Sequence, residues 1–239
     1  MIAVTGLIAE ARAAYGPDIR VLSGGGDAVQ LASDLEEAVA GEAAAIISFG
    51  IAGGLAPGLK PGTCLIARSV LTAEGERYYA DAAWARKLSL AVGGAPIVDF
   101  AGVDTPVVGP AAKRALHVST GAVAVDMESH IAARMASKHN LPFVAFRVVA
   151  DPAERQLPHA ALVGMRRDGS VAIGAVLSSI IRQPRQIPLL VRTALDARTA
   201  FSALFRGREM LTGSFGFGDF RELLLDVPRE NIFSGSLPV

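Results

Sequence analysis

Apolar positions along this chain gather into short runs bounded by glycine, proline or acidic residues, the pattern of strands buried on both faces of a parallel sheet. Ile2 to Gly6 and Asp18 to Leu22 are two such runs, and the helix formers Ala9 to Ala14 lie between them. Asp27 to Val39 places Val29, Leu31, Leu35 and Val39 near helical spacing with acidic residues interleaved, which predicts a helix feeding a strand over Ala43 to Ser48. Pro57 to Gly62 carries turn chemistry ahead of a predicted strand from Thr63 to Leu71. Gly121 to Val125 and Phe143 to Val149 read as further strands. Between them Asp126 to His139 is predicted helical, with Met127, Ile131 and Met135 at i, i+4 and i+8, acids in the first turn and Lys138 and His139 in the last. This order predicts an α/β fold, a three-layer α/β/α sandwich around a mixed, largely parallel central sheet.

Two domains of unequal weight are expected, a catalytic unit over residues 1–182 and an extension over 183–239. Val171 to Ile181 is predicted to close the first unit as a helix. Pro184 and Pro188 then break the chain before an apolar-periodic helix over Leu189 to Phe205. Six arginines against one aspartate and one glutamate between Ile180 and Met210 make the extension basic and apolar together.

The chain has 239 residues, 51% of them hydrophobic, enough for one α/β core without a disulfide or metal staple. Lys plus Arg equals Asp plus Glu at 23 each, so there is no overall basic field of the kind a nucleic-acid binder carries. The lone Cys64 sits in a strand pattern, which predicts a buried thiol and a reducing compartment. Met1 leads directly into Ile2-Ala3-Val4 with neither a basic leader nor a long apolar run, so a cytoplasmic protein is expected. His117, His130, His139 and His159 show no zinc-like spacing and are expected at the surface or at helix ends, and no cofactor is expected.

Three segments carry candidate chemistry. Glu128 and Asp151 each follow an apolar run, so both carboxylates should emerge at the C-terminal ends of strands, where open α/β sheets hold their ligands. Phe49 to Leu55 follows a third such run as a glycine loop and offers backbone N–H groups with little side chain in the way.

Asp126-Met127-Glu128-Ser129, Gly50-Ile51-Ala52-Gly53-Gly54 and Arg147-Val148-Val149-Ala150-Asp151 occur in an order and at spacings that resemble the purine nucleoside phosphorylase and nucleosidase family over about residues 1–180. Within it, Ala124 to His130 and the Leu22 to Asp27 turn resemble the hopanoid-associated phosphorylases. The resemblance implies phosphorolytic cleavage of the N-glycosidic bond of an adenine nucleoside. The implied substrate is adenosylhopane, giving adenine and a ribosyl-1-phosphate hopanoid, with inorganic phosphate as co-substrate.

The site residues follow from the same resemblance. Asp151 corresponds to the acid beside purine N7, and Ala150 stands where many relatives carry serine. Glu128 corresponds to the carboxylate that accepts from the ribose hydroxyls, with Met127 against the sugar. Gly50, Ile51, Ala52, Gly53, Gly24, Gly25 and Arg12 are the phosphate candidates, and Phe100 and Val103 the base contacts. Hydrolytic relatives carry a water-activating glutamate after the first strand. Alignment on Gly6 puts Ala11 there, with Glu10 beside it, which favours phosphate over water. A nucleosidase using Glu10 after a one-position shift, and a non-catalytic module binding a lipid nucleoside, are the competing readings. A homo-oligomer is expected by analogy, and the basic, apolar extension suits a hopanoid lipid or an anionic membrane surface.

Overall fold

The computed structural model describes residues 1–41, 43–158 and 184–217. Its elements run β1 (Ile2–Thr5), α1 (Ile8–Ala14), β2 (Arg20–Ser23), α2 (Ala28–Val39), β3 (Ile46–Gly54), β4 (Cys64–Leu71) and β5 (Arg77–Tyr79). They continue through α3 (Ala82–Ala91), β6 (Ile97–Gly102), α4 (Pro110–Thr120), β7 (Ala124–Asp126), α5 (Ser129–Lys138), β8 (Phe143–Asp151) and α6 (Ile187–Met210).

β3 is the hub of the sheet. It pairs in parallel with β1 over Ile46–Ser48 and with β8 along its length, then turns its last residues, Gly53 and Gly54, onto antiparallel β7. A register shift between Ala52 and Gly53 accompanies that turn, as expected of a bulge that bends one strand between two partners. β8 pairs antiparallel with β4, β4 in parallel with β6, and β6 in parallel with β7. The circuit β3–β8–β4–β6–β7–β3 therefore closes, with β1 and β2 extending it on one side and β5 on the other.

Alternation along β3 and β8 divides the core into two layers. Ile46, Ala145 and Val149 pack with Leu31 and Leu35 of α2 and with Ile131 and Ala132 of α5. Ile47, Phe49, Val144 and Phe146 pack with Ala13 of α1, Trp84 and Leu88 of α3, and α6. The three-layer arrangement follows from this period-two split, because both faces of the central strands are apolar and each needs a helical cover.

Four expectations are corrected. Phe49 to Gly54, expected as a loop, is the second half of β3, because small residues let neighbouring groups crowd it without ending its pairing. The predicted helix from Asp126 begins only at Ser129, since Asp126 completes β7 and Glu128 occupies the cap position. His130, expected at the surface or at a helix end, does lie in the first turn of α5 but is buried, and its Nε2 lies 3.0 Å from Asp104 Oδ1. Cys64 is half-buried rather than buried. The helix expected over Val171 to Ile181 lies outside the described residues, as does His159.

The described part of the expected extension shares the main core. Ala200, Ala203, Leu204 and Gly207 of α6 recur at i, i+3, i+4 and i+7 and are buried against the sheet. Phe146 stacks on Phe49 at 5.4 Å between centroids, and Phe49 meets Phe215 beyond α6 at 5.0 Å. Trp84 Nε1 donates to the Phe215 carbonyl at 2.9 Å, which ties that segment back to α3. No helix among the described residues is long and apolar enough to cross a membrane.

A Cβ added at Gly207 would lie 2.7 Å from Phe146 Cζ, so α6 rests on β8 with only a hydrogen between them. Gly207→Val is expected to lower stability by about 1–3 kcal/mol through overpacking, read as a lower urea midpoint. An unchanged midpoint would mean that α6 does not dock as described.

Candidate active site

The C-terminal ends of β3, β7 and β8 and the turn after β1 converge on a cavity of about 360 Å³. Its floor carries Glu10, Asp126, Met127, Glu128 and Asp151, and its wall is formed by Val103, Pro106, Val107, Leu157 and, from α6, Ala197 and Phe201. Four carboxylates thus line one chamber, and among the described residues no lysine, arginine or histidine does.

Glu10 is held by backbone donors. Leu7 at the N-cap of α1 has no side-chain acceptor for the free amides there, and Glu10 three residues on reaches back to supply one. Its Oε2 accepts from the amides of Gly6 at 2.7 Å and Leu7 at 2.8 Å, and its Oε1 from Ile51 at 2.7 Å. Burial raises its pKa above the usual carboxylate range, against the opposing pull of Arg147 and these three amides. Gly50 makes the approach possible, since a Cβ there would fall 2.5 Å from Glu10 Oε1 and 2.6 Å from Arg147 Nη1.

Arg147, fully buried in the middle of β8, binds the acids together. Its Nη2 donates to Ser48 Oγ at 2.6 Å, Glu128 Oε2 at 3.2 Å and Asp126 Oδ1 at 3.3 Å, and its Nη1 donates to the Ile51 carbonyl at 3.3 Å. Its Nε lies 3.3 Å from Asp126 Oδ2. Burial works against the guanidinium charge, but Asp126, Glu128 and Glu10 together outweigh it and hold the pKa above the ordinary arginine value.

Asp126 Oδ1 also accepts from the amides of Glu128 at 2.9 Å and Ser129 at 2.6 Å, closing the turn into α5. That turn aims Glu128 into the chamber. Burial drives its pKa up to about 7; Arg147 opposes the rise, and Asp126 and Glu10 add to it.

Asp151, the last residue of β8, meets Lys113 of α4. The two form an ion pair through Nζ and Oδ2, and the same ammonium donates to the carbonyls of Pro152 at 2.9 Å and Arg155 at 3.2 Å. Burial raises the Asp151 pKa while Lys113 pulls it down, and burial prevails.

Of the residues singled out from sequence, the cavity unites Asp151, Glu128, Met127, Val103, Ile51, Ala52 and Gly53. Gly24 lies at its edge, where a Cβ would be 3.5 Å from Glu128 Cγ, and Gly25 takes a φ of 56° in the adjoining turn, its amide bound to the Gly6 carbonyl. Gly50 stands behind Glu10. Arg12 is exposed on α1 and Phe100 is fully buried between α5 and the sheet, and neither lines the cavity. The amide expected to cradle phosphate at Ile51 is engaged by Glu10. Ala11 does not line the cavity, whereas Glu10, one position earlier, does.

Arg147 and Lys113 were not singled out. A lone arginine inside the run Phe143 to Ala150 was the available signal for the first of these, because an unpaired charge has no place in a buried strand. Nothing in the sequence linked Lys113 to Asp151.

Residues 16–182 match the family described as the phosphorylase superfamily. Among solved structures, the S-adenosylhomocysteine nucleosidase of Streptococcus pyogenes, in complex with 5-methylthiotubericidin, is similar at 17% identity and a TM-score of 0.58, over 82% of this chain and 95% of that one. The 5′-methylthioadenosine/S-adenosylhomocysteine nucleosidase of Helicobacter pylori with butyl-thio-DADMe-Immucillin-A gives 14% identity and 0.59, over 88% and 98%. The futalosine hydrolase of Helicobacter pylori gives 16% and 0.55, over 76% and 97%. At these identities the likeness is one of fold. No match is found among curated proteins.

The acid cluster generates a stability prediction with a definite sign. Glu128 titrates near 7 in the folded chain against 4.5 ordinarily. Its contribution is therefore present below about 4.5 and lost as pH rises through about 7. Glu128→Gln does not titrate, so wild type should lose stability relative to this variant between about pH 5 and 8. Denaturation midpoints across that range test it, and a constant difference would place the Glu128 pKa at its ordinary value.

Proposed function

This chain belongs to the phosphorylase superfamily, and on that premise we propose that it cleaves the N-glycosidic bond of a purine nucleoside using water, with Glu10 as the base. The observation that carries this reading is the chamber lining: four carboxylates and, among the described residues, no basic side chain. Such a surface offers no cationic side chain to a phosphate dianion and suits a neutral water beside a developing sugar cation.

Each residue then has a chemical part. The ribose ring passes through an oxocarbenium-like state as C1′ parts from N9. Glu128 accepts hydrogen bonds from the 2′- and 3′-hydroxyls, and its charge steadies the cationic ring. Met127 packs on the sugar and Val103 on the base. Glu10 takes a proton from the water whose oxygen bonds to C1′, and a carboxylate with a raised pKa is a stronger base for that step. The electron pair of the broken bond moves onto the purine while Asp151 delivers a proton to N7, so the base leaves neutral.

The nucleosidases named above are similar in fold and act in their own names on adenine nucleosides with a substituent at the 5′ position, which fits this assignment. The wall from Val103 to Phe201 is apolar and includes α6, which favours a 5′ substituent that is apolar as well. An adenosylhopane, as the sequence resemblance implies, meets that description. A homo-oligomer and contact of α6 with a lipid surface belong to the same proposal.

Phosphorolysis of the same bond is the second reading, resting on the hopanoid-associated resemblance. A product assay separates the two. Adenine release from adenosine and its 5′-alkylated analogues should proceed equally with and without phosphate, and H₂¹⁸O should label the anomeric oxygen. Glu10→Gln should lower kcat by about 10² to 10⁴, the span for losing a general base. Strict phosphate dependence with a sugar 1-phosphate product would establish phosphorolysis instead. Asp151→Asn should reduce kcat by a similar factor with a much smaller change in KM, and near-normal turnover would remove Asp151 from the acid role.

A further inference from the structure

Lys113 is placed where neither helix stability nor solubility accounts for it. It is the one buried residue of α4, fully enclosed, in the opening turn of a helix whose N-terminal dipole disfavours a cation. Desolvating an ammonium is costly, and an apolar side chain would fill the same space without that penalty. All three of its N–H donors are used: one on Asp151 Oδ2, one on the Pro152 carbonyl at 2.9 Å and one on the Arg155 carbonyl at 3.2 Å. Every partner is therefore Asp151 or the turn that follows it. Ala150, the residue before the acid, offers no hydroxyl to orient the carboxyl.

We propose, resting on the glycosidic-cleavage reading above, that Lys113 is the positioning residue for leaving-group protonation. It grips one carboxyl oxygen of Asp151, leaves the other outside the contact, and stabilises the carboxylate that forms when the acid gives up its proton. In the reactive complex of this proposal Asp151 carries the proton to be transferred, and its Oδ2 faces the ammonium. As C1′–N9 breaks and its electron pair moves onto the purine, the proton passes from Asp151 to N7. The negative charge left on Asp151 then lies against Lys113, which keeps its own protons throughout. Because that charge exists only as the base departs, the Lys113 interaction is stronger in the transition state than in the ground state, the condition for accelerating a reaction. Burial that favours the protonated acid and a fixed cation that favours its conjugate base together suit a group that must hold a proton and then release it.

The test contrasts two leaving groups. Lys113→Met keeps the aliphatic stem and removes the charge. With an adenine nucleoside, whose base needs protonation, kcat should fall about 10- to 1,000-fold, the range for losing a preorganised electrostatic partner. With p-nitrophenyl β-D-riboside, whose phenolate departs unaided, the rate should stay within about threefold of wild type. In the Asp151→Asn background the same substitution should change adenine release little, because Lys113 acts through the carboxyl that is gone. If the single variant does not fold, Lys113→Met/Asp151→Asn, which leaves no lone buried charge, is compared with Asp151→Asn. Equal rates with the adenine nucleoside then support the proposal and unequal rates overturn it. Equal loss on both substrates by a folded Lys113→Met, or undiminished adenine release, also overturns it. Wild type that cleaves neither substrate would overturn the glycosidic reading itself, and this inference with it.

Discussion

The buried guanidinium of Arg147 is the interaction on which the rest of the site depends. Three acids, Glu10 after β1 and Asp126 and Glu128 at the end of β7, come from two separate parts of the chain and would repel one another in a low-dielectric interior. Arg147 makes their proximity tolerable. It sits on β8 in the middle of the sheet, within reach of Ser48 on β3 and of the turn that opens α5. One cation for three acids leaves the group short of positive charge, and the high pKa of Glu128 is the consequence. Removing Arg147 would leave uncompensated buried carboxylates, a loss of about 3–5 kcal/mol where such pairs are broken.

Backbone space is the second condition. Gly6 and Gly50 flank the acid cluster, and a Cβ at Gly6 would fall 2.7 Å from Glu128 Oε1. These glycines serve close approach and not turn geometry, since neither adopts a positive φ. The same two positions keep amides within reach of Glu10, so one feature of the backbone both admits the carboxylate and holds it. The bulge at Ala52 and Gly53 then swings β3 onto β7, closing the circuit of strands and bringing Asp126 beside Arg147.

α6 joins scaffold and chamber. Its buried side, from Ala200 to Gly207, rests on Phe146, while Ala197 and Phe201 reach the cavity wall. Stability of the core and the shape of the substrate chamber are therefore coupled through one helix. Its exposed surface still carries Ile187, Val191 and Leu195 with Arg192 and Arg198 among them.

By itself the sequence determined the layered α/β class, most of the strands that carry the site, and the positions of Glu128 and Asp151 at strand ends. Each of these depends on local periodicity or on a short run of neighbours, which one chain displays without folding. Tertiary structure alone decided which groups meet. Lys113 and Asp151 are brought together by α4 folding over the end of β8, and no spacing announces that contact. The identity of the acid after β1 turned on one position, Glu10 against Ala11, because a helical register sets which of two adjacent side chains faces the chamber. Phe100 went to the core and Arg12 to solvent for the same reason: their direction depends on partners distant in sequence. The segment Phe49 to Gly54 looked like a loop because glycine lowers strand propensity, yet it became the central strand, since neighbours on both sides pair with it and its missing side chains make room for charge.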